Sequence, residues 1–335
     1  MSVLARELAD DGQTDFAKTA EPYRRELLAH CYRMTGSLHD AEDLVQETLL
    51  RAWKAYDRFE GKSSVRTWLH RIATNTCLTA LENRQRRPLP TGLGAPSSDP
   101  AAELVEGAEV PWLEPLPDPA DDPADPSTIV GTRESVRLAF VAALQHLSAR
   151  QRAVLIMRNV LQWPAAEVAE LLGVTTTAVN SGLRRARAQL AEALPAEDEL
   201  AEPAEPDRRA LLDRFAAAFE NADVNGLAQL LREDVTLEMP PLLTWFAGRA
   251  DVARFFAAAP VFAAPGRLKL VPVGANGQPA FAAYQREPDG MYRAYAVTLP
   301  TVTATGIARI VTFFDPGLFG PFGLPAAIPA DPAGL

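Results

Sequence analysis

The sequence predicts a multidomain chain: two all-α modules, a helical bundle and a helix-turn-helix, followed by an α+β domain. Three observations predict it. Helical apolar periodicity runs from Asp15 to about Arg87 and again from about Ile129 to Leu194. Between them, Pro88 to Thr128 is rich in Pro, Asp and Glu, a composition that buries little surface and reads as a linker. After Asp207 the pattern opens with one amphipathic helix and turns strand-like. The domain bounds are therefore 15–87, 88–128, 129–194 and 207–335. A chain of 335 residues, 47% of them apolar, suits two or three packed domains.

Charge is segregated along the chain. The net charge of −10 argues against nucleic-acid binding when taken as an average. Yet Arg66–Arg87 holds five basic residues and one acid, and Thr175–Leu190 holds three Arg and no acid. Ser97–Thr128 holds nine acids and Glu192–Asp207 seven, neither with a Lys or Arg. Basic helices separated by acidic connectors fit a nucleic-acid reader better than a uniformly acidic enzyme. Apolar runs fall short of the roughly 20 residues that span a bilayer. The first residues lack a signal-peptide pattern, so a cytoplasmic protein without a membrane partner is expected. Cys31 and Cys77 sit in helical apolar patterns and read as buried free thiols. No Cys or His stands at metal-ligand spacing, and no metal or cofactor is expected.

In the first module, Ala41, Leu44, Val45, Thr48, Leu49, Ala52 and Trp53 fall on one helix face. Asp40, Asp43, Glu47 and Lys54 fall on another, with Gln46 beside it. Asp40 is placed to cap this helix. Tyr56 and Phe59 follow, and then a helix from about Thr67 to Gln85 carrying Trp68, Arg71 and Asn75, with Arg66 just before it. Aromatics interleaved with bases suit single-stranded DNA, where each stacked base contributes about 1–3 kcal/mol. Periodicity alone leaves open whether Tyr56, Phe59 and Trp68 stack on bases or form core.

The second module carries a helix–Gly–helix pattern over Pro164–Leu190. Val168, Ala169 and Leu172 face inward, Gly173 permits the turn, and Val174 is expected to pack beneath it. Thr175 caps a second helix whose inner side is Ala178, Val179 and Leu183. Its outer side offers Thr176, Thr177, Asn180, Ser181, Arg184 and Arg187, with Arg185 close by. The first residues of such a helix reach base edges and its later arginines meet phosphates.

The run from Tyr23 to Lys54, with Asp40-Ala-Glu-Asp-Leu-Val-Gln-Glu-Thr48 at its centre, resembles the second region of extracytoplasmic-function sigma factors. That resemblance implies docking on core RNA polymerase, on the β′ clamp helices with the β subunit adjoining. It makes Asp40, Asp43, Leu44, Gln46 and Glu47 core-contact candidates. Val65–Asn75 resembles the family's promoter-melting element, which assigns Tyr56, Phe59, Arg66, Trp68, Arg71 and Asn75 to minus-ten DNA. Leu147–Leu155 followed by the helix-turn-helix and Arg184-Arg-Ala-Arg187 resembles the family's fourth region. It assigns Thr176, Thr177, Asn180, Ser181, Arg184, Arg185 and Arg187 to the minus-thirty-five element. The implied function is promoter recognition and strand opening for transcription initiation. In related factors the connector threads the polymerase active cleft. Val110-Pro-Trp-Leu-Glu-Pro115 resembles a signature of members with a C-terminal extension and marks Trp112 and Leu113 as regulatory residues.

The remaining region resembles the SnoaL-like group of the NTF2-like fold, a cone-shaped α+β domain. Gly274–Phe281 and Phe314–Leu324 resemble stretches in sigma factors of the mycobacterial sigma-G and sigma-J kind. Helices are expected over Arg208–Ala222, Asn225–Leu231 and Ala250–Ala259. Strands are expected over Val235–Met239, Arg267–Val273, Tyr292–Leu299 and Gly306–Phe314. The domain lacks His, and Glu238 and Asp251 are assigned surface or capping roles, so no catalytic residue is expected. Met239, Trp245, Tyr284 and Tyr295 are candidates either for a ligand pocket or for the core of a curved sheet. In-cis regulation of the sigma modules is the expected role, with a small molecule or an anti-sigma factor as further partners. The competing class is a helix-turn-helix repressor with a sensing domain. The Asp40–Lys54 helix separates the two, since a repressor has no use for a polymerase-docking helix.

Overall fold

The computed structural model describes residues 16–82, 86–118, 135–193 and 203–330. The chain divides into two compact units, one built from residues 1–87 and 134–194, the other from 88–133 and 195–335.

The first unit is all helical. Helices α1 (Arg24–Thr35), α2 (Leu38–Ala55) and α3 (Val65–Leu81) pack on one another around Leu27, Tyr32, Met34, Val45 and Leu69. Gly36, at φ +72°, ends α1 in the left-handed region that glycine enters without strain. The cap of α2 is Ser37, whose hydroxyl accepts the Asp40 N–H at 3.1 Å. This corrects the expected cap: Asp40 lies inside the first turn, where its charge still favours the positive helix end. Ser64 caps α3 in the same way through the Thr67 N–H.

The rest of this unit is α4 (Leu138–Leu144), α5 (Ala149–Leu155) running into a π turn at Ile156–Val160, α6 (Ala165–Leu172) and α7 (Thr176–Ala193). Ser148 and Gln151 form a reciprocal capping box that starts α5. Gly173, at φ +64°, closes α6, and the Thr175 hydroxyl accepts the Ala178 N–H at 3.1 Å to start α7. Val179, Gly182, Leu183, Ala186 and Leu190 form the buried stripe of α7. Val174 and Ala178, expected inside, are exposed. The turn points Val174 outward, and Ala178 falls about 95° round α7 from the middle of its core stripe.

Two arginines are buried within this unit. Arg33 donates to the Ser135 carbonyl at 3.2 Å and to its hydroxyl at 2.7 Å. Arg152 donates to the carbonyls of Leu144, Leu147 and Met34. Burial pushes each guanidinium down to about 10, opposed by Glu26 for Arg33 and by Cys77 for Arg152. Cys31 and Cys77 are free and buried. Their mutual hydrogen bond, together with burial, holds the Cys77 thiol well above its ordinary range.

In the second unit, α8 (Glu205–Glu220), α9 (Val224–Leu230) and α10 (Arg249–Ala258) accompany a seven-stranded sheet. Its strands are β1 (Leu231–Glu238), β2 (Trp245–Ala247), β3 (Leu268–Ala275), β4 (Gln278–Arg286), β5 (Tyr292–Thr303), β6 (Gly306–Phe313) and β7 (Ala327–Ile328). The order is β2-β1-β6-β5-β4-β3, with β7 beside β5. Only the β1–β6 pair is parallel among the described pairings. Asn276 and Gly277, both at positive φ, make the two-residue turn joining β3 to β4. One sheet face carries Leu237, Leu270, Phe281, Ala296 and Ile310 against Phe215 and Phe219 of α8 and Phe256 of α10. Phe219 meets Phe256 and Phe262 edge-on at 5.3 and 5.1 Å between ring centres.

Residues 88–118 belong to this unit as an ordered strap. Leu89, Pro90, Leu113, Pro115 and Leu116 are buried, contrary to the expectation of a segment that buries little. The strap is tied by its main chain along both outer strands of the sheet. The Ser97 N–H donates to the Trp245 carbonyl at 2.8 Å, and the Leu243 N–H to the Val105 carbonyl at 2.7 Å. At the other edge Asn276 brackets Leu116, its N–H donating to the Leu116 carbonyl at 2.8 Å while its side-chain oxygen accepts the Leu116 N–H at 2.9 Å. Beside it, Asp118 donates its N–H to the Gly274 carbonyl and accepts the Gly277 N–H at 2.7 Å. A buried carboxylate completes the anchorage. Glu238, expected at the surface or in a cap, is fully buried and accepts from Arg309 on one oxygen. Its other oxygen accepts from the Thr91 N–H at 3.1 Å and hydroxyl at 3.0 Å.

Candidate nucleic-acid interface

Helix α2 presents a polar and apolar stripe to solvent. At 100° per residue, Asp43, Gln46, Glu47, Leu50 and Trp53 fall within one third of the helix circumference. Asp43 and Gln46 are exposed, Glu47 half-buried, and Leu44 half-buried at the margin. Leu50 and Trp53 are 44% and 42% exposed, among the most exposed large apolar side chains described. The sequence pattern puts Trp53 on one helix face with Ala41, Val45 and Ala52. It stands about 120° round the helix from Ala41, outside the buried stripe of Ala41, Val45, Thr48 and Ala52. The same wheel puts Leu50 opposite the core, so its exposure follows from the helical period although its polarity does not announce it. Glu47 pairs with Arg51 at 2.6 Å and Asp40 with Arg87 at 2.8 Å.

The minus-ten candidates gather at the start of α3. The Phe59 and Trp68 rings lie 4.7 Å apart, and Tyr56 lies 6.4 Å from Trp68. All three are half-buried, so they share core packing with an accessible edge. Asn75 is exposed. Arg66 is forked onto Glu26, its Nε 2.8 Å from both carboxylate oxygens, which raises its pKa. Arg71 donates to Glu170 of α6 at 2.7 Å.

Beneath these residues lies a buried histidine pair. The rings of His30 and His70 meet edge-on at 5.3 Å. The His30 Nε2 lies 3.0 Å from the Thr74 hydroxyl, and His70 Nδ1 2.9 Å from the Arg66 carbonyl. Burial lowers the pKa of both; His70 and Arg33 lower His30 further, while Glu26 opposes the shift at His70.

On α7, Thr176, Thr177, Asn180, Arg184, Arg185 and Arg187 are exposed and Ser181 half-buried. Thr177, Ser181 and Arg184 lie opposite the Val179–Leu190 stripe and the others flank it. Arg187 donates to the Asn159 side chain at 2.7 Å. An exposed helix bearing three arginines after a helix–Gly–helix turn has the form of a major-groove reader.

The chain matches the family description Sigma-70 region 2 over residues 19–87, Sigma-70 region 4 over 137–190 and SnoaL-like domain over 212–316. Its sequence is 59% identical over 334 residues to the ECF RNA polymerase sigma factor SigG of Mycobacterium tuberculosis H37Rv, covering 98% of this chain and 90% of that one. The chain belongs to the ECF family of RNA polymerase sigma factors. The sigma factor is 30% identical over 298 residues to SigJ of the same organism, covering 84% and 86% of the two chains. The crystal structure of M. tuberculosis SigJ superposes with a TM-score of 0.59 at 25% identity, covering 91% of this chain and 98% of that one. This sigma factor is thus a transcription initiation factor, recognising promoters and starting transcription with RNA polymerase. Among the described residues no helix is long and apolar enough to cross a membrane.

The connector and C-terminal candidates fall as follows. Trp112 is half-buried, its indole N–H donating to the Gly107 carbonyl at 3.0 Å, and Leu113 is fully buried. Met239 is core, and Trp245 donates its indole N–H to the Gly94 carbonyl at 3.0 Å. Tyr284 packs on Phe319 and donates to the Pro325 carbonyl, while Tyr295 packs on Phe314. The four do not line one pocket. Tyr284 alternates with the core residues Phe281 and Ala283 along β4, so it points to the other sheet face.

Proposed function

We propose that the α2 stripe of Asp43, Gln46, Glu47, Leu50 and Trp53 docks on the clamp helices of core polymerase in the cytoplasm. The aromatic cluster at the start of α3 stacks minus-ten bases, and the outer side of α7 reads the minus-thirty-five element. The C-terminal domain modulates these steps in cis by holding the connector. The observation that carries this last point is the strap itself. A connector that related factors thread through the polymerase cleft is hydrogen-bonded here along both outer strands of the SnoaL-like sheet. A strap so held cannot enter the cleft until it is released. The phenylalanine packing of the domain interior supports a structural rather than a catalytic domain.

The test is run-off transcription with core polymerase, comparing the full chain, a form ending near Glu205, and Gly107→Ala. A Cβ at Gly107 would come within 2.8 Å of the Trp112 ring and 3.0 Å of Leu243, so the strap must shift there. Altered promoter output in both altered forms is expected. Output equal to that of the full chain in both would remove the regulatory role.

A further inference from the structure

Helices α1 and α3 pack with two matched rows of polar side chains between them. Glu26, His30 and Arg33 recur at helical spacing along α1, and Arg66, His70 and Thr74 recur along α3. The rows meet at the surface, where the half-buried Glu26 is forked by the exposed Arg66. They run inward to His30 and His70, both buried.

The partners of each ring assign its proton. A carbonyl only accepts, so His70 Nδ1, 2.9 Å from the Arg66 carbonyl, carries the proton of the neutral ring. Its Nε2 is then bare. That nitrogen faces Glu26 Oε1 at 3.7 Å and has no hydrogen-bond partner among the described residues. Thr74 donates its one hydroxyl proton to the His70 carbonyl at 2.8 Å, so it accepts from His30 Nε2 at 3.0 Å. His30 faces Thr74 as a donor and is satisfied there without a charge. At His70, by contrast, two lone pairs confront each other across the gap to Glu26. A proton on Nε2 turns that confrontation into a charge-assisted hydrogen bond.

Arg66 helps to keep this proton off. Burial lowers the His70 pKa most; Glu26 and the Arg66 carbonyl raise it, and the guanidiniums of Arg66 and Arg33 lower it. The groups facing His70 are therefore Glu26, Arg33 and neutral His30 from α1, and Arg66 from its own helix. Helices α2 and α5 also pack on α3, but among the described residues no charged side chain of either acts on His70; the buried Arg152 of α5 acts on Cys77. A DNA phosphate that takes the Arg66 guanidinium withdraws the fork from Glu26. The same departure removes one of the two cations that repel a proton at His70. Both changes favour an imidazolium that donates to Glu26.

We infer that Glu26 and His70 are positioning residues for the minus-ten arginine: Glu26 holds Arg66 in the free protein, and His70 replaces Arg66 on Glu26 when the guanidinium moves to DNA. His70 takes its proton from solvent, an Nε2–H bond forms, and the carboxylate stays ionised. One proton is bound for each minus-ten engagement, so binding tightens as pH falls, by at most about ten-fold per pH unit. The inference rests on the proposed assignment of Arg66 to minus-ten DNA.

The test uses the full chain in two measurements. Holoenzyme is titrated onto the fluorescein-labelled single non-template strand of a promoter that it transcribes, with anisotropy read at pH 8, 7 and 6. Native holoenzyme should bind about three- to ten-fold tighter at the lowest pH than at the highest. His70→Gln offers an amide donor at every pH, and Glu26→Gln cannot hold Arg66 by charge; both should lose that gain. Arg66→Ala should bind more weakly throughout and show no gain. The same gain in His70→Gln as in the native protein overturns the exchange. Because His70 is buried, the second measurement leaves it in place. Histidine proton resonances of the free chain, which has four His, are titrated by NMR. Arg66→Ala should raise the His70 pKa and Glu26→Gln should lower it. A His70 titration that Arg66→Ala leaves unchanged overturns the exchange by itself. Arg66→Ala separates the two failures. Strand binding as tight as the native at every pH takes Arg66 off the DNA, and the exchange falls with that assignment. Weakened binding alongside an unchanged His70 titration keeps the assignment and sinks the exchange alone.

Discussion

The carboxylate of Glu238 makes a sharp demand on the chemistry of its position. One oxygen faces two donors on Arg309 and the other faces the Thr91 N–H and hydroxyl. Every partner shown is a donor, and a carboxylate accepts on both sides. Glutamine, of nearly equal shape, cannot. Whichever way its amide is turned, the NH₂ group confronts either the arginine or the strap. Hydrogen bonds to charged groups contribute about 1.5–3 kcal/mol each, and a buried donor left facing a donor is costly. Glu238→Gln should therefore destabilise the second unit by about 3 kcal/mol. For a unit of this size that corresponds to a melting transition about 6–12 °C lower. Differential scanning calorimetry reads the shift, and limited proteolysis reads the strap, which should become cleavable between Thr91 and Val105. Thr91→Val, which keeps the backbone donor and loses only the hydroxyl, should cost about 1 kcal/mol. Combined with Glu238→Gln it should add less than its own cost, because both act through one oxygen. A Glu238→Gln protein with unchanged melting and an uncleaved strap would refute the anchoring role.

Three other outcomes follow from the first unit. His30 and His70 are held neutral by burial, below their ordinary pKa. The unfolded chain therefore binds protons first as pH falls, and stability present above about pH 6.5 is lost as pH drops toward the folded-state values. The slope is at most about 1.4 kcal/mol per pH unit for each imidazole. Urea unfolding at pH 7.5 and 5.5 should show this, and His30→Gln should flatten it; an equally steep dependence in the variant would assign the effect elsewhere. Arg184→Ala should weaken binding to minus-thirty-five duplex in the holoenzyme and reduce the salt slope by about 1, read by fluorescence anisotropy across ionic strength. Asp43→Arg should reduce co-purification with core polymerase while leaving the circular dichroism spectrum intact, because Asp43 is exposed.

Much of this was legible in the sequence because it rests on local rules. The α2 and α7 stripes follow from a 3.6-residue period, and Gly173 with Thr175 announces the helix turn. The cap of α2 was misplaced by three residues because two capping residues, Ser37 and Asp40, stand in the same stretch, and the glycine at position 36 decides between them by ending α1. Strand β4 is not among the strands expected from the sequence, although the Asn276-Gly277 turn signals a hairpin. Its sequence, Gln278-Pro-Ala-Phe-Ala-Ala-Tyr-Gln-Arg286, is rich in alanine and carries a proline at its second position, so propensity does not favour a strand. It forms because β3 and β5 flank it and Phe281 reaches the core. Glu238 looked like a surface acid because its partners, Thr91 and Arg309, are remote in sequence. No local pattern reports a contact of that kind.

The strap carries the same lesson to its composition. Between Pro88 and Asp118 the chain holds six acids and no base, and composition of that kind is ordinarily too polar to order itself. It is ordered here by a different set of groups. The ties to the sheet are main-chain hydrogen bonds at Ser97, Val105, Gly107 and Leu116, and the buried contacts come from Leu113, Pro115 and Leu116. Asp99, Glu103, Glu106 and Glu109 all remain exposed. Asp118 adds its carboxylate, which accepts the Gly277 N–H. At the four exposed acids, seating and charge are therefore carried by separate atoms. The domain can hold the connector without neutralising it, and a connector released toward a nucleic-acid path keeps its negative charge. Regulation by seating and electrostatic mimicry by the released segment are compatible in one stretch of chain, because backbone donors and acceptors serve the first and side-chain carboxylates the second.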